Sequence, residues 1–239
     1  MKLLKALTRI GNPNKAEYYR RKSLFSDALE RSSENIIHKN LREERKKEIK
    51  SRSRSKRTLA GIDASLGCFV VGDCETSGLK PDSHRVIELS AIRFDIDGNE
   101  LERFSSLLKY RGKIPNKVRQ ITGITDEEIR KSGRPGSEVF GEFYDFVGEA
   151  PIFFHNAPFD EAFIQNNAMR VLDSSCVQEL DAYCTLEMSQ QILNHLSDHK
   201  LKTLAKYVKS PNKPSHRGLS DALVTKDVLM HLRRKSLGV

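Results

Sequence analysis

The chain's clearest pattern is a continuous apolar run, Cys68-Phe69-Val70-Val71, which marks a strand buried on both faces and predicts a central strand from 68 to 75. A second strand is expected over 86 to 96, Asp97-Gly98-Asn99 as a hairpin turn, and a third strand over 101 to 109. Apolar residues then recur at helical intervals near 115 to 121, 125 to 132 and 137 to 148, before a fourth strand from 151 to 155. Helices follow near 159 to 170, 184 to 195, 200 to 209 and 219 to 234, and Leu180-Asp181 ends a short fifth strand. The sum is an α/β fold: a mixed five-stranded sheet flanked by helices.

Against this frame, a few polar residues fall at informative positions. Asp73 and Glu75 lie two apart at the carboxyl end of the first strand, so they point to one face, where open α/β sheets place their ligands. Asp160 follows Pro158, a residue suited to a helix's first turn, and shares a helical side with Phe163, Ile164 and Val171. Asp221 likewise leads Thr225, Val228 and Leu232 along an inward stripe. His216 precedes it in a stretch that Pro211 and Pro214 mark as loop.

Taken singly, each of these acids is more often a helix cap or a surface charge, and a lone histidine more often an ordinary loop residue. Their joint occurrence in three segments, Asp73-Cys74-Glu75-Thr76, His155 to Asp160 and His216 to Asp221, points instead to chemistry. Four carboxylates balance two divalent ions, and oxygen donors suit Mg²⁺ or Mn²⁺. In-line hydrolysis of a phosphodiester uses two such ions roughly 3.5 to 4 Å apart, and a histidine whose ordinary pKa is about 6.5 can take the water's proton. Asp73, Glu75, Asp160 and Asp221 are therefore expected as metal ligands and His216 as the base. His155 reads as a structural residue satisfying a buried hydrogen bond, and Glu88 and Asp181 are left out of the metal set.

These three motifs resemble those of the DEDDh exonuclease superfamily, the group containing the proofreading epsilon subunit of bacterial DNA polymerase III and ribonuclease T. The histidine-to-aspartate spacing of the third motif is that of the "h" branch. Val86 to Ile92 resembles the family's second strand, and Ile121-Thr122-Gly123-Ile124-Thr125 its loop near the nucleotide pocket. The likeness runs from about Val71 to Leu232. It implies a ribonuclease-H-like fold and removal of 5′-mononucleotides from a 3′ end, DNA before RNA. It further implies that Thr76, Thr122 and Asn156 bind the terminal nucleotide. An exoribonuclease trimming RNA ends, or a non-catalytic nucleic-acid-binding module, would carry the same fold.

Charge divides the chain in two. Of the 239 residues, 1 to 60 hold 18 Lys and Arg against 7 Asp and Glu, while the remainder hold 23 against 25. Residues 1 to 60 are thus expected as a basic, partly helical or flexible extension, and 61 to 239 as the exonuclease domain. The Ser- and Arg-rich run 51 to 57 reads as a solvated linker. Such an arm is able to hold phosphates without sequence preference, or to dock a polymerase or other protein partner. No stretch approaches the roughly 18 apolar residues of a membrane span, and residues 1 to 10 are too short and too charged for a secretory signal. Cysteines 68, 74, 176 and 184 have no zinc-site spacing, and reduced thiols fit a cytoplasmic protein.

Overall fold

The computed structural model describes residues 67–238; the basic extension of residues 1 to 60 lies outside them. Five strands form one sheet in the order β3-β2-β1-β4-β5. These are β1 (Cys68–Thr76), β2 (Val86–Asp95), β3 (Glu100–Leu107), β4 (Ile152–Phe154) and β5 (Ala182–Cys184). β1 pairs antiparallel with β2 and parallel with β4, and β2–β3 and β4–β5 continue the two senses outward, giving the mixed sheet expected. The helices are α1 (Asn116–Thr122), α2 (Asp126–Ser132), α3 (Gly136–Val147), α4 (Ala157–Ala168), α5 (Thr185–Ile192), α6 (Leu201–Tyr207) and α7 (Gly218–Leu237).

Alternation along β1 builds both cores. Val70 and Cys74 enter the cluster covered by α3 and α4, with Phe143 and Phe163 at its centre. Phe69 and Val71 enter the opposite cluster with Val228 and Leu232 of α7. Asp73 and Glu75 continue the second series, so the strand that anchors the fold also aims two acids towards the side that α7 covers. Gly72, just before Asp73 and on the opposite face, packs against β4: a Cβ there would stand 2.6 Å from the ring of Phe154, which would have to shift to admit a side chain.

The local signals are those of the sequence. Asp95 accepts hydrogen bonds from the backbone of Asp97 and Asn99 and closes the β2–β3 turn, with Gly98 at φ 87°. Thr125 caps α2 by accepting from the Glu128 N–H at 3.1 Å. Three expectations are corrected. The fifth strand is Ala182–Cys184, beginning just after Leu180-Asp181 instead of ending there, because it takes its register from Ile152, opposite Ala182. Val171 is 45% exposed, since α4 ends at Ala168 and its inward stripe stops there. α7 continues to Leu237, where Gly238 at φ 74° ends it.

Filling the space at Gly72 should force β1 from β4: Gly72→Val is expected to cost about 1–3 kcal/mol of unfolding free energy, as overpacked cores do. Urea denaturation measures it, and an unchanged midpoint would contradict the close approach.

Candidate active site

The three acidic segments converge at the carboxyl end of β1. Register places Asp73 opposite Ser90 and Glu75 opposite Glu88 on β2. Asp160, in the first turn of α4, is buried, and its Oδ1 accepts the Cys74 backbone N–H at 3.1 Å, which ties α4 to the strand between the two β1 acids. Pro158 starts the helix as the sequence predicts. Asp221, in the first turn of α7, is also buried, and its Oδ1 accepts the Ser215 N–H at 2.8 Å. One donor atom from each of Glu75, His216 and Asp221 lies within 4.8 Å of the others. His216 is exposed, in the loop that enters α7.

The electrostatics of this cluster are strained. Burial raises the Asp73 carboxyl well above the usual range, and the charges of Asp160, Glu75, Asp221 and Glu88 raise it further. Asp73 is partly open to the cleft, yet its Oδ2 is enclosed and has no hydrogen-bond partner among the described residues. Glu75 is pushed up to about 8 by burial and by Asp221, Glu88 and Asp160, with Arg217 opposing. Burial takes Asp160 to about 7 against the lowering effect of its Cys74 hydrogen bonds. Asp221 is raised too, by burial, although hydrogen bonds from Ser215 and the nearby His216 pull the other way. Buried like charges without a counter-charge are costly. A site of this kind fits a divalent cation, which supplies the missing positive charge to an all-oxygen donor set.

The remaining expected residues are held in different ways. Thr76 ends β1, and its buried hydroxyl donates to the Gly78 carbonyl at 2.7 Å. Thr122 ends α1, buried, donating to the Val118 carbonyl and accepting from the Ile124 N–H. Both hydroxyls therefore have structural partners already. Asn156 is exposed at the start of α4 in a left-handed conformation, φ 80°, with no side-chain cap bond. His155 is structural as read: its ring nitrogens meet Thr185 Oγ1 at 3.1 Å and the His199 carbonyl at 3.0 Å. Burial pushes its pKa down to about 4.

Sequence reasoning passed over one pair. Glu88 is buried beside Glu75, and Arg217 holds it with Nη2 at 2.9 Å from Oε1. A signal existed: Arg217 adjoins the motif histidine, and Glu88 lies in the stretch resembling the family's second strand. Only the fold brings them together.

Comparison with known proteins gives the chain's family. A model of the exonuclease family RNase T matches residues 70–229. DNA polymerase III PolC-type of Halalkalibacterium halodurans is 32% identical over 69% of this chain, which spans 11% of that protein's length. DNA polymerase III subunit epsilon of Aquifex aeolicus is 29% identical over 70% of this chain and 80% of its own. Among solved structures, E. coli exonuclease I in complex with a dT13 oligonucleotide superposes with a TM-score of 0.61 at 21% identity, covering 72% of this chain and 42% of that one. Exonuclease X in complex with 5′ overhanging duplex DNA gives 0.54 at 22% identity, covering 72% and 93%. These likenesses confirm the ribonuclease-H-like fold, and since the family model extends over well over half of the sequence, the chain belongs to the RNase T family of exonucleases.

Proposed function

We propose that this chain is a 3′ to 5′ exonuclease that hydrolyses the terminal phosphodiester of a nucleic acid and releases 5′-mononucleotides, with DNA as its substrate in proofreading or repair. The observation that carries it is the convergence of Asp73, Glu75, Asp160 and Asp221 on one strand end with His216 exposed at their edge. The polymerase III relatives and the DNA-bound neighbours support DNA over RNA.

Asp73, Glu75, Asp160 and Asp221 would hold two ions, Mg²⁺ or Mn²⁺, whose charge the four carboxylates balance. Bound there, the ions supply an acidified water and neutralise charge at the scissile phosphate. His216 would take the proton of the attacking water as the new P–O bond forms and the P–O3′ bond breaks, the leaving 3′ oxygen taking its proton from solvent, to which the exposed imidazole can pass its own. Asn156 offers its exposed amide to the terminal nucleotide. Thr76 and Thr122, their hydroxyls donating within the chain, reach it through backbone groups or the hydroxyl's remaining lone pair.

The domain runs from about residue 61 to 239, with residues 1 to 60 as an accessory arm that holds phosphates or a polymerase. A second cationic feature belongs to the domain itself: Lys109, Arg111, Lys113, Lys117 and Arg119 are all exposed, with no acid between them. The excess of Lys and Arg in residues 1 to 60 is therefore not the only basic feature of the sequence. The strip runs into the first turn of α1 and suits the strand upstream of the 3′ end. Among the described residues no helix is long and apolar enough to cross a membrane, and Cys68, Cys74, Cys176 and Cys184 are unpaired, which favours a cytoplasmic setting.

The first test is a 5′-end-labelled single-stranded DNA and an RNA of the same sequence, incubated with Mg²⁺ or Mn²⁺. A ladder shortening from the 3′ end, faster on DNA and lost in Asp73→Ala, is the expected result. Faster RNA shortening would reassign the substrate; binding without shortening would leave a non-catalytic module.

A second test needs no substrate. Glu75 and Asp160 titrate higher folded than their ordinary carboxylate values, so without cation they favour the fold when protonated, and that contribution is lost as pH rises from about 4.5 to about 8. Glu75→Gln should therefore melt several degrees above wild type at pH 8 but not at pH 4.5. Added Mn²⁺ should reverse the order at pH 8, because the wild type binds it better. A melting difference independent of pH would sink the electrostatic account.

A further inference from the structure

His216 occupies a backbone conformation that side chains other than glycine rarely adopt, φ 54°. Such a residue persists only where its surroundings over-determine it. Here both flanks are pinned. On the amino-terminal side the Ser215 N–H donates to Asp221 Oδ1 at 2.8 Å, next to His216 in the chain. On the carboxyl-terminal side everything converges on Glu88. The Gly218 N–H donates to Glu88 Oε2 at 2.9 Å. The Arg217 guanidinium grips the same carboxylate, with Nε 3.2 Å from Oε1 and 3.3 Å from Oε2, and Nη2 2.9 Å from Oε1. A weaker contact at 3.4 Å joins Arg217 Nη2 to Glu128 Oε1 on α2.

Close packing completes the clamp. A Cβ at Gly218 would stand 2.5 Å from the side chain of Ser90, so the start of α7 is pressed directly onto β2. Glu88 is buried and cross-strand from Glu75, and a buried carboxylate is costly unless charge and hydrogen bonds meet it, while a paired one gives registry. With both oxygens engaged, Glu88 is kept from acting as a fifth ligand and is turned to a mechanical task.

We infer that the Glu88–Arg217 pair is the positioning device of His216, fixing the 215–218 turn so that the imidazole stands at the acidic cluster. This rests on the exonuclease reading. Arg217 touches neither water nor phosphate in this role and acts through its neighbour. Lys at 217 would restore the charge but not the forked grip, and is expected to restore only part of the rate.

The test is a double-mutant cycle on the full chain, with wild type, His216→Ala, Arg217→Met and the double variant assayed on one 5′-labelled single-stranded DNA in Mn²⁺. Mn²⁺ affinity is measured beside it by calorimetry. Arg217→Met should lower kcat about 10- to 100-fold, as misplacement of a catalytic group does, with KM and Mn²⁺ affinity within about threefold of wild type. His216→Ala should lose about 10²- to 10⁴-fold, and the double variant should lose about the same as His216→Ala alone, because the two residues act as one unit. An unchanged kcat in Arg217→Met, or losses that multiply in the double variant, would overturn the clamp. Should Arg217→Met fail to fold, Glu88→Gln carries the same cycle, since it keeps the size and an acceptor for Gly218. A wild-type chain that shortens nothing would overturn the exonuclease reading and this one with it, whereas multiplying losses in an active wild type overturn the clamp alone.

Discussion

Burial of carboxylates at the end of β1, added to by the charges around them, is the constraint to which the rest of the structure answers. Asp73, Glu75, Asp160 and Asp221 are each raised above the usual carboxylate range, in every case chiefly by burial. A fold that minimised its own free energy would not gather them. Those acids stay together because each is carried by an element whose position is fixed elsewhere. β1 is held between β2 and β4 and enters both cores, α4 is packed through Phe163 and Ile164, and α7 through Val228 and Leu232. Stability spent at the site is drawn from apolar burial well away from it.

The protein relieves this cost only in part. Backbone N–H groups of Cys74 and Ser215 reach Asp160 and Asp221, but Asp73 Oδ2 finds no donor among the described residues. The Arg217 guanidinium goes to Glu88, the acid not assigned to the cation. That division of labour is informative. Were Arg217 to pair with Glu75 directly, it would satisfy the carboxylate and remove the reason for a cation to bind. Directed at Glu88, it neutralises a charge that only adds repulsion and leaves the others free to act as ligands.

Most of the frame was legible in the sequence because its signals are local. The apolar run at 68 to 71, the turn at 97 to 99 and the helical stripes after Asp160 and Asp221 each report on neighbours within a few residues, and the elements stand where they predict. Signals failed where tertiary contact decides. Nothing in Leu180-Asp181 reveals that β5 must align Ala182 with Ile152, and the spacing of Val171 cannot show that α4 stops at Ala168. The acids were recognisable by motif, yet the Glu88 to Arg217 contact joins residues 129 positions apart. No periodicity encodes such a separation. His216 is intermediate: its loop was readable from Pro211 and Pro214, but its left-handed backbone was not.

An acidic site for a polyanionic substrate poses a last electrostatic problem. Outside the extension the chain has two more acids than bases, and the crowded carboxylates would by themselves repel a phosphate. Two features reverse the sign where it matters. A divalent cation at the cluster outweighs any single local charge and turns a repulsive pocket into an attractive one, so cation and substrate binding become linked. Lys109 to Arg119 supplies exposed positive charge that the net total conceals, running into the first turn of α1. Net charge is therefore a poor guide to what this domain binds. What decides is that, among the described residues, negative charge is concentrated where a cation can cancel it, while positive charge is exposed elsewhere on the surface. A buried acidic cluster and an exposed basic strip thus coexist in one domain whose net charge reveals neither.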